Sequence, residues 1–188
     1  MNEEHLRLCS SAEWGEHIST TLFPWVLDGF SLGHDVLEVG PGPGLTTERL
    51  RQRVARLTAV EADAALASAL AARLAGTNVE VVHADATSMP FAAGRFTAAA
   101  CFTMLHHVPS AALQDQLFLE VARVLKPGGV LLGVDSLPSP AWHKLHEGDV
   151  CVPIDPLTLA ERLRQAGFVE PKITVWSIGT RFEARTPV

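Results

Sequence analysis

A chain of 188 residues with 47% hydrophobic and 19% charged residues can bury the core of one packed domain, and this excludes disordered, fibrous and disulfide-stapled classes. Fifteen Lys and Arg against 21 Asp and Glu leave a formal charge of −6, so no global cationic field favours nucleic acid or anionic lipid as partner. Three cysteines without CxxC spacing, Cys9, Cys101 and Cys151, together with acids in the first residues and no long uncharged apolar run, predict a cytoplasmic protein with no membrane span.

Residues 1–34 form a helical preamble containing Trp14, Phe23, Pro24 and Trp25, expected to pack over the mouth of a sheet. From Asp35 onward, strands are predicted at 36–39, 57–60, 79–82, 98–102 and 130–134. Between them, Leu66, Leu70 and Leu74, then Leu113, Leu117, Val121 and Leu125, recur at helical spacing. That alternation predicts an α/β fold with a parallel sheet. Ser110 is placed to cap the second of these helices and Lys126-Pro127-Gly128-Gly129 to stop it before the next strand. Further on, Asp155-Pro156 opens a helix buried through Leu159 and Leu163, and Gly167 ends it. Strands at 169–176 and 181–184 are separated by too few residues for a parallel crossover and must pair as an antiparallel hairpin. The expected organisation is a single domain, 1–188: a lid at 1–34, a cofactor-binding core at 35–135, and at 136–188 a substrate-side insert, a helix and the hairpin.

The most informative motif is Val36-Leu37-Glu38-Val39-Gly40-Pro41-Gly42-Pro43-Gly44, a strand entering a glycine-rich turn before a helix. Gly40, Gly42 and Gly44 let backbone approach a nucleotide-like ligand, and the following helix presents free N–H groups. The GxGxG spacing is neither the GxGxxG of pyrophosphate binding nor a P-loop. Glu38 would repel a pyrophosphate but could meet an amino group. Glu61 ends the second strand where a carboxylate can hold ribose hydroxyls, and Asp85 follows the third strand at the same edge. Each acid alone could be a helix cap; three at successive strand ends argue for one ligand.

These segments, with TAVEAD, VVHADATSMPF, RFTAAACFTMLHHV and EVARVLKPGGVLL, closely resemble the class I S-adenosylmethionine (SAM)-dependent methyltransferases, in particular their small-molecule, type-11 branch. The resemblance covers Asp35 to about Val134. It implies a Rossmann-like, seven-stranded, mostly parallel sheet of order 3-2-1-4-5-7-6 with the last strand antiparallel. It also implies that Gly40 and Gly42 approach the methionine part and ribose of SAM, with Glu38 near its amino group. Glu61 would hold the ribose hydroxyls, Ala62 would lie on adenine, Asp85 and Ala86 would read the adenine edge, and Phe102 and Thr103 would line the methionine tail. Thr97 stands where many relatives carry aspartate. No Asn-Pro-Pro-aromatic segment follows the fourth strand, so amino methylation of nucleic acid is not supported.

The implied activity is methyl transfer from SAM to an O, N, C or S atom of a small metabolite. Its rivals are a non-catalytic SAM-binding sensor or accessory subunit and, more remotely, a nicotinamide-dependent oxidoreductase. His106 and His107 are the candidate bases; the alternative role for both is to shape the loop. Residues 136–153 contain His143 and His146 three apart, but nothing fixes metal geometry and no metal site is expected. The basic run Arg49, Arg51, Arg53 and Arg56 reads as a solvated helix face. Because the lid is short, the substrate site is expected to be open or completed by a second subunit, as in a homodimer.

Overall fold

The computed structural model describes residues 1–188. Each predicted strand forms: β1 (Asp35–Val39), β2 (Arg56–Glu61), β3 (Val79–His83), β4 (Phe96–Phe102), β5 (Leu125–Asp135), β6 (Val169–Trp176) and β7 (Gly179–Arg185). They form one sheet of order β3-β2-β1-β4-β5-β7-β6. The pairs from β3 to β5 are parallel, and β7 runs antiparallel to both β5 and β6. This is the Rossmann-like α/β arrangement implied by the resemblance. All five residues of β1 are buried, as expected of a central strand covered on both faces.

The helices follow their caps. Asp63 accepts from Ala65 N–H and Leu66 N–H to open α5 (Ala64–Arg73). Ser110 caps α6 (Ala111–Val124), and Asp155 caps α8 (Pro156–Gln165) with Pro156 in its first turn. Phe118 of α6, Leu159 and Leu163 of α8, and Phe182 of β7 pack with Leu37, Ala99 and Leu131 in the core on one sheet face.

The opposite face departs from the sequence reading. The preamble comprises α1 (Glu3–Cys9), α2 (Ala12–His17), a π-helical turn (Ile18–Leu22) and α3 (Phe23–Leu27). Its residues Ile18, Leu22, Phe23 and Val26 pack with Val36, Leu57, Ala98 and Leu132. It therefore covers a sheet face rather than only the mouth. The reason is length: α4 (Leu45–Leu50) has only six residues, leaving apolar sheet surface that the preamble buries. The Lys126-Pro127-Gly128-Gly129 segment also differs, since it lies inside β5 rather than before it. There Gly128 N–H donates to Pro187 O and Thr186 N–H to Gly129 O, both at 3.0 Å, so the chain end supplies partners that a free loop would lack. The terminal hairpin turns on Ser177 and Ile178, with β7 starting at Gly179.

Candidate functional site

The carboxyl ends of the parallel strands surround a cavity of about 400 Å³. It lies where the order reverses between β1 and β4, the crevice that open α/β sheets use for ligands. Of the sequence-predicted cofactor residues, Gly40, Gly42, Glu61, Ala62, Asp85, Ala86, Phe102 and Thr103 line it. Glu38 and Gly44 are not among the lining residues.

The loop after β1 is shaped by left-handed glycines, with φ of +63° at Gly40 and +55° at Gly42, a conformation costly for residues bearing a Cβ. A Cβ at Gly40 would meet the Met104 side chain at 3.0 Å. Two side chains hold the loop. Glu61 accepts Gly42 N–H through Oε2 and Asp63 N–H through Oε1, each at 2.9 Å. Arg73 donates to Pro43 O at 2.6 Å, a contact that sequence spacing does not announce. Because α4 is so short, the loop's free backbone matters more here than a helix terminus.

Glu38 is 1% exposed, and neither carboxylate oxygen has a hydrogen-bond partner. Burial pushes its carboxyl up to about 7, with Glu61 adding to the push. The nearby Thr46 and Thr47 hydroxyls offset part of it without forming a well-aligned bond. Asp85 is exposed; its Oδ1 accepts from Thr87 N–H and Oγ1, both at 2.8 Å, while Oδ2 takes no partner from the chain. Thr103 has φ +48° and donates its N–H to Val134 O at 2.8 Å. A non-glycine residue in that region stores strain, here where β4 turns into the cavity.

The two candidate bases separate. His107 lines the cavity. His106 does not; it is 1% exposed, and its Nδ1 lies 2.5 Å from Asp135 Oδ1, with its backbone N–H donating to Asp135 Oδ2 at 3.2 Å. Sequence reasoning missed Asp135 because it sits 29 residues away at the end of β5. Two more histidines join them: His5 of α1 and His146, just past α7 (Pro140–Leu145). His143 is exposed and takes no part, so the spacing of His143 and His146 was a misleading signal. Burial and neighbouring imidazoles hold His5 down to about 4 and His107 to about 3. Burial also lowers His146, partly opposed by its bond to Trp142 O.

Beyond the predicted residues, Cys9, Trp14 and Ile18 of the preamble and Met104 and Leu113 of the core complete the apolar wall. Two of the four arginines of the basic run are paired with acids: Arg51 with Glu48 and Arg56 with Asp35. Arg49 binds Ser19 Oγ and Leu45 O. No helix is long and apolar enough to cross a membrane.

The family model described as "Methyltransferase domain" matches residues 37–133, just over half of the chain. A ubiquinone biosynthesis O-methyltransferase from Stutzerimonas stutzeri is 30% identical over 109 residues, covering 56% of this chain and 46% of that protein. Ribosomal RNA small subunit methyltransferase A from Deinococcus radiodurans is 45% identical over 65 residues, covering 35% of this chain and 22% of that protein. The matches thus span less than half of the length of these two relatives. Among solved structures, a SAM-dependent methyltransferase from Methanosarcina mazei superposes with a TM-score of 0.67 at 19% identity, covering 85% of this chain and 95% of that one; at that identity the likeness concerns the fold.

Proposed function

The chain belongs to the methyltransferase-domain family of class I SAM-dependent enzymes, and from that premise we propose that it moves a methyl group from SAM to an O, N, C or S atom of a small, partly apolar metabolite. The observation that carries this reading is the Gly40–Gly42 backbone, held at the cavity wall by Glu61. The chain's residues fit SAM. Buried Glu38 has no partner and calls for a cation such as the ammonium of an amino acid. Glu61 retains lone pairs for ribose hydroxyls, Ala62 and Ala86 offer flat apolar contact for adenine, and Asp85 Oδ2 is free for its amino group. Phe102 and Thr103 border the remaining length of the cavity, with Gly44 letting the loop close onto α4.

When bound, SAM supplies a methyl group on a sulfonium, a leaving group that needs no further activation. The chain's task is then to hold a nucleophile in line and keep water out. Trp14, Ile18, Met104 and Leu113 provide the dry wall. His106 is turned to Asp135, and His107, held near 3, would be a weak base at neutral pH. His107 therefore shapes the acceptor side of the cavity, and His106 anchors the turn that carries it to Asp135.

A small acceptor is favoured over RNA by the charge of −6, the paired arginines and the segment Phe102-Thr103-Met104-Leu105, which has no Asn-Pro-Pro. The test is calorimetric titration with SAM, S-adenosylhomocysteine and NAD on the chain and on Glu61→Gln, followed by methyl-transfer assays on metabolite and rRNA panels. Binding of both adenosyl ligands but not NAD is expected, weakened about tenfold or more when Glu61 loses its charge. Adenosyl binding without methylation of any acceptor would favour the sensor reading, and methylation of rRNA alone would overturn the small-molecule one.

A further inference from the structure

Three segments far apart in sequence each send histidine to one place. His5 comes from α1, His106 and His107 from the 3₁₀ turn after β4, and His146 from the end of α7. One ring nitrogen from each lies within 4.8 Å of one from every other. Ring centroids are 4.4 Å apart for His5 and His146 and 4.2 Å for His106 and His107. His5, His106 and His146 are buried and His107 is half-buried.

Every one of these rings has a buried nitrogen with no hydrogen-bond partner: His5 Nδ1 and the Nε2 atoms of His106, His107 and His146. Four such atoms together are unusual, because buried polar atoms almost always find partners. For two of them the protonation is fixed by geometry. His146 Nδ1 faces Trp142 O at 2.7 Å, and a carbonyl can only accept, so that nitrogen carries the proton. His106 Nδ1 faces the Asp135 carboxylate and is the donor for the same reason. In the neutral imidazole the Nε2 atom of each then carries a lone pair open to a ligand. Hydrogen bonds of this kind, donated by the far ring nitrogen to a carbonyl or carboxylate, orient imidazoles that bind metals.

We propose that His5, His106, His107 and His146 form a four-imidazole site for a divalent first-row transition ion of the Zn²⁺ kind. The donor set decides the class of ion: nitrogen ligands suit Zn²⁺, Co²⁺, Ni²⁺ or Cu²⁺, whereas Ca²⁺ and Mg²⁺ need oxygens. Metal–nitrogen bonds of about 2.0–2.1 Å require the rings to draw together slightly, which rotation of His5 and His107 can supply. Such an ion cross-links the preamble and the 136–153 insert to the end of β4. Through His107, which also lines the cavity, it fixes part of the acceptor-side wall. The site stands on its own donor geometry and does not depend on methyl transfer.

The experiment uses the full chain, stripped with a chelator and desalted, then titrated calorimetrically with ZnCl₂, MgCl₂ and CaCl₂ and, separately, with Co²⁺ followed by visible absorption. One Zn²⁺ per chain is expected, with no comparable Mg²⁺ or Ca²⁺ binding, and an intense tetrahedral Co²⁺ spectrum that Zn²⁺ displaces. His5→Gln and His146→Gln should each weaken Zn²⁺ binding by about tenfold or more, while exposed His143→Gln leaves it unchanged. The Co²⁺ spectrum of the unaltered chain keeps the test decisive if a variant misfolds. Absence of saturable Zn²⁺ binding, a weak octahedral Co²⁺ spectrum, or equal affinity in folded His5→Gln and His146→Gln would overturn the proposal.

Discussion

The cavity and the histidine cluster beside it are built on different principles. On the sheet side, Gly40, Gly42, Glu61 and Asp85 each lie within a few residues of a strand end, so backbone geometry alone delivers them to a common edge. On the cap side, His5, His106 and His146 meet only because α1 and α7 dock on the core. Asn2 makes part of that contact: its side-chain amide donates to Leu145 O at 2.8 Å and Glu147 O at 3.2 Å. The first side is short-range and rigidly templated by the sheet. The second is assembled by long-range packing, with fewer buried apolar contacts to hold it.

The contrast is tested most severely in the core. Phe182 is fully buried and pairs with Gly133 across β5 and β7, where a Cβ would come within 2.1 Å of its ring. Phe182→Ala leaves a void that rigid strands cannot close and should cost about 3–5 kcal/mol in urea unfolding. A loss below about 1 kcal/mol, the scale of a tolerated repacking, would show that the sheet is more plastic than its packing implies.

This division also explains what was legible in the sequence. The strand positions, the terminal hairpin and the caps at Ser110 and Asp155 could be read because each rests on local patterning or on a loop too short to allow another connection, whereas the strand order came only with the family resemblance. The acids at 38, 61 and 85 were readable because a parallel sheet puts successive strand ends side by side. The Asp135 partner of His106 was not, since the register of β4 against β5 (Cys101 with Gly133, Phe102 with Val134) must be known before Asp135 can be placed beside the turn that follows β4. The histidine cluster was hidden more deeply. The visible spacing of His143 and His146 pointed to a shared helix face, whereas His146 turns inward and His143 outward. Nor did the preamble's apolar residues announce that they cover a whole sheet face, because that depends on how short α4 is.

The sheet side carries a second, pH-dependent signature. Glu38 has an ordinary carboxyl value near 4.5 when unfolded and about 7 in the folded, ligand-free chain. The folded state therefore holds the proton more tightly, and this contribution is complete below pH 4.5 and lost as pH rises through 7. The shift corresponds to about 3 kcal/mol. Glu38→Gln should flatten the decline between those values in urea unfolding measured across pH. An unchanged slope would mean that Glu38 is solvated or ionised in the folded chain, and would remove the unpartnered acid from the sheet side of the cavity.

The smallest expected effect separates the two sides most directly. Asn2 caps α1 by accepting His5 N–H through Oδ1 at 2.9 Å, and its backbone N–H donates to Asp149 Oδ2 at 3.0 Å. Asn2→Ala removes the cap and both amide bonds, to the last residue of α7 and to Glu147 beyond it, but spares every sheet contact. The cost should be about 1 kcal/mol, in the range of a lost N-cap. Hydrogen exchange should report it as faster opening of residues 3–9, with β1 and β4 keeping their protection, because local unfolding draws first on elements with few buried apolar contacts. If protection in β1 and β4 fell by the same factor, α1 and the sheet would open as one cooperative unit. The cap would then have to be regarded as part of the fold's core rather than as an element docked onto it.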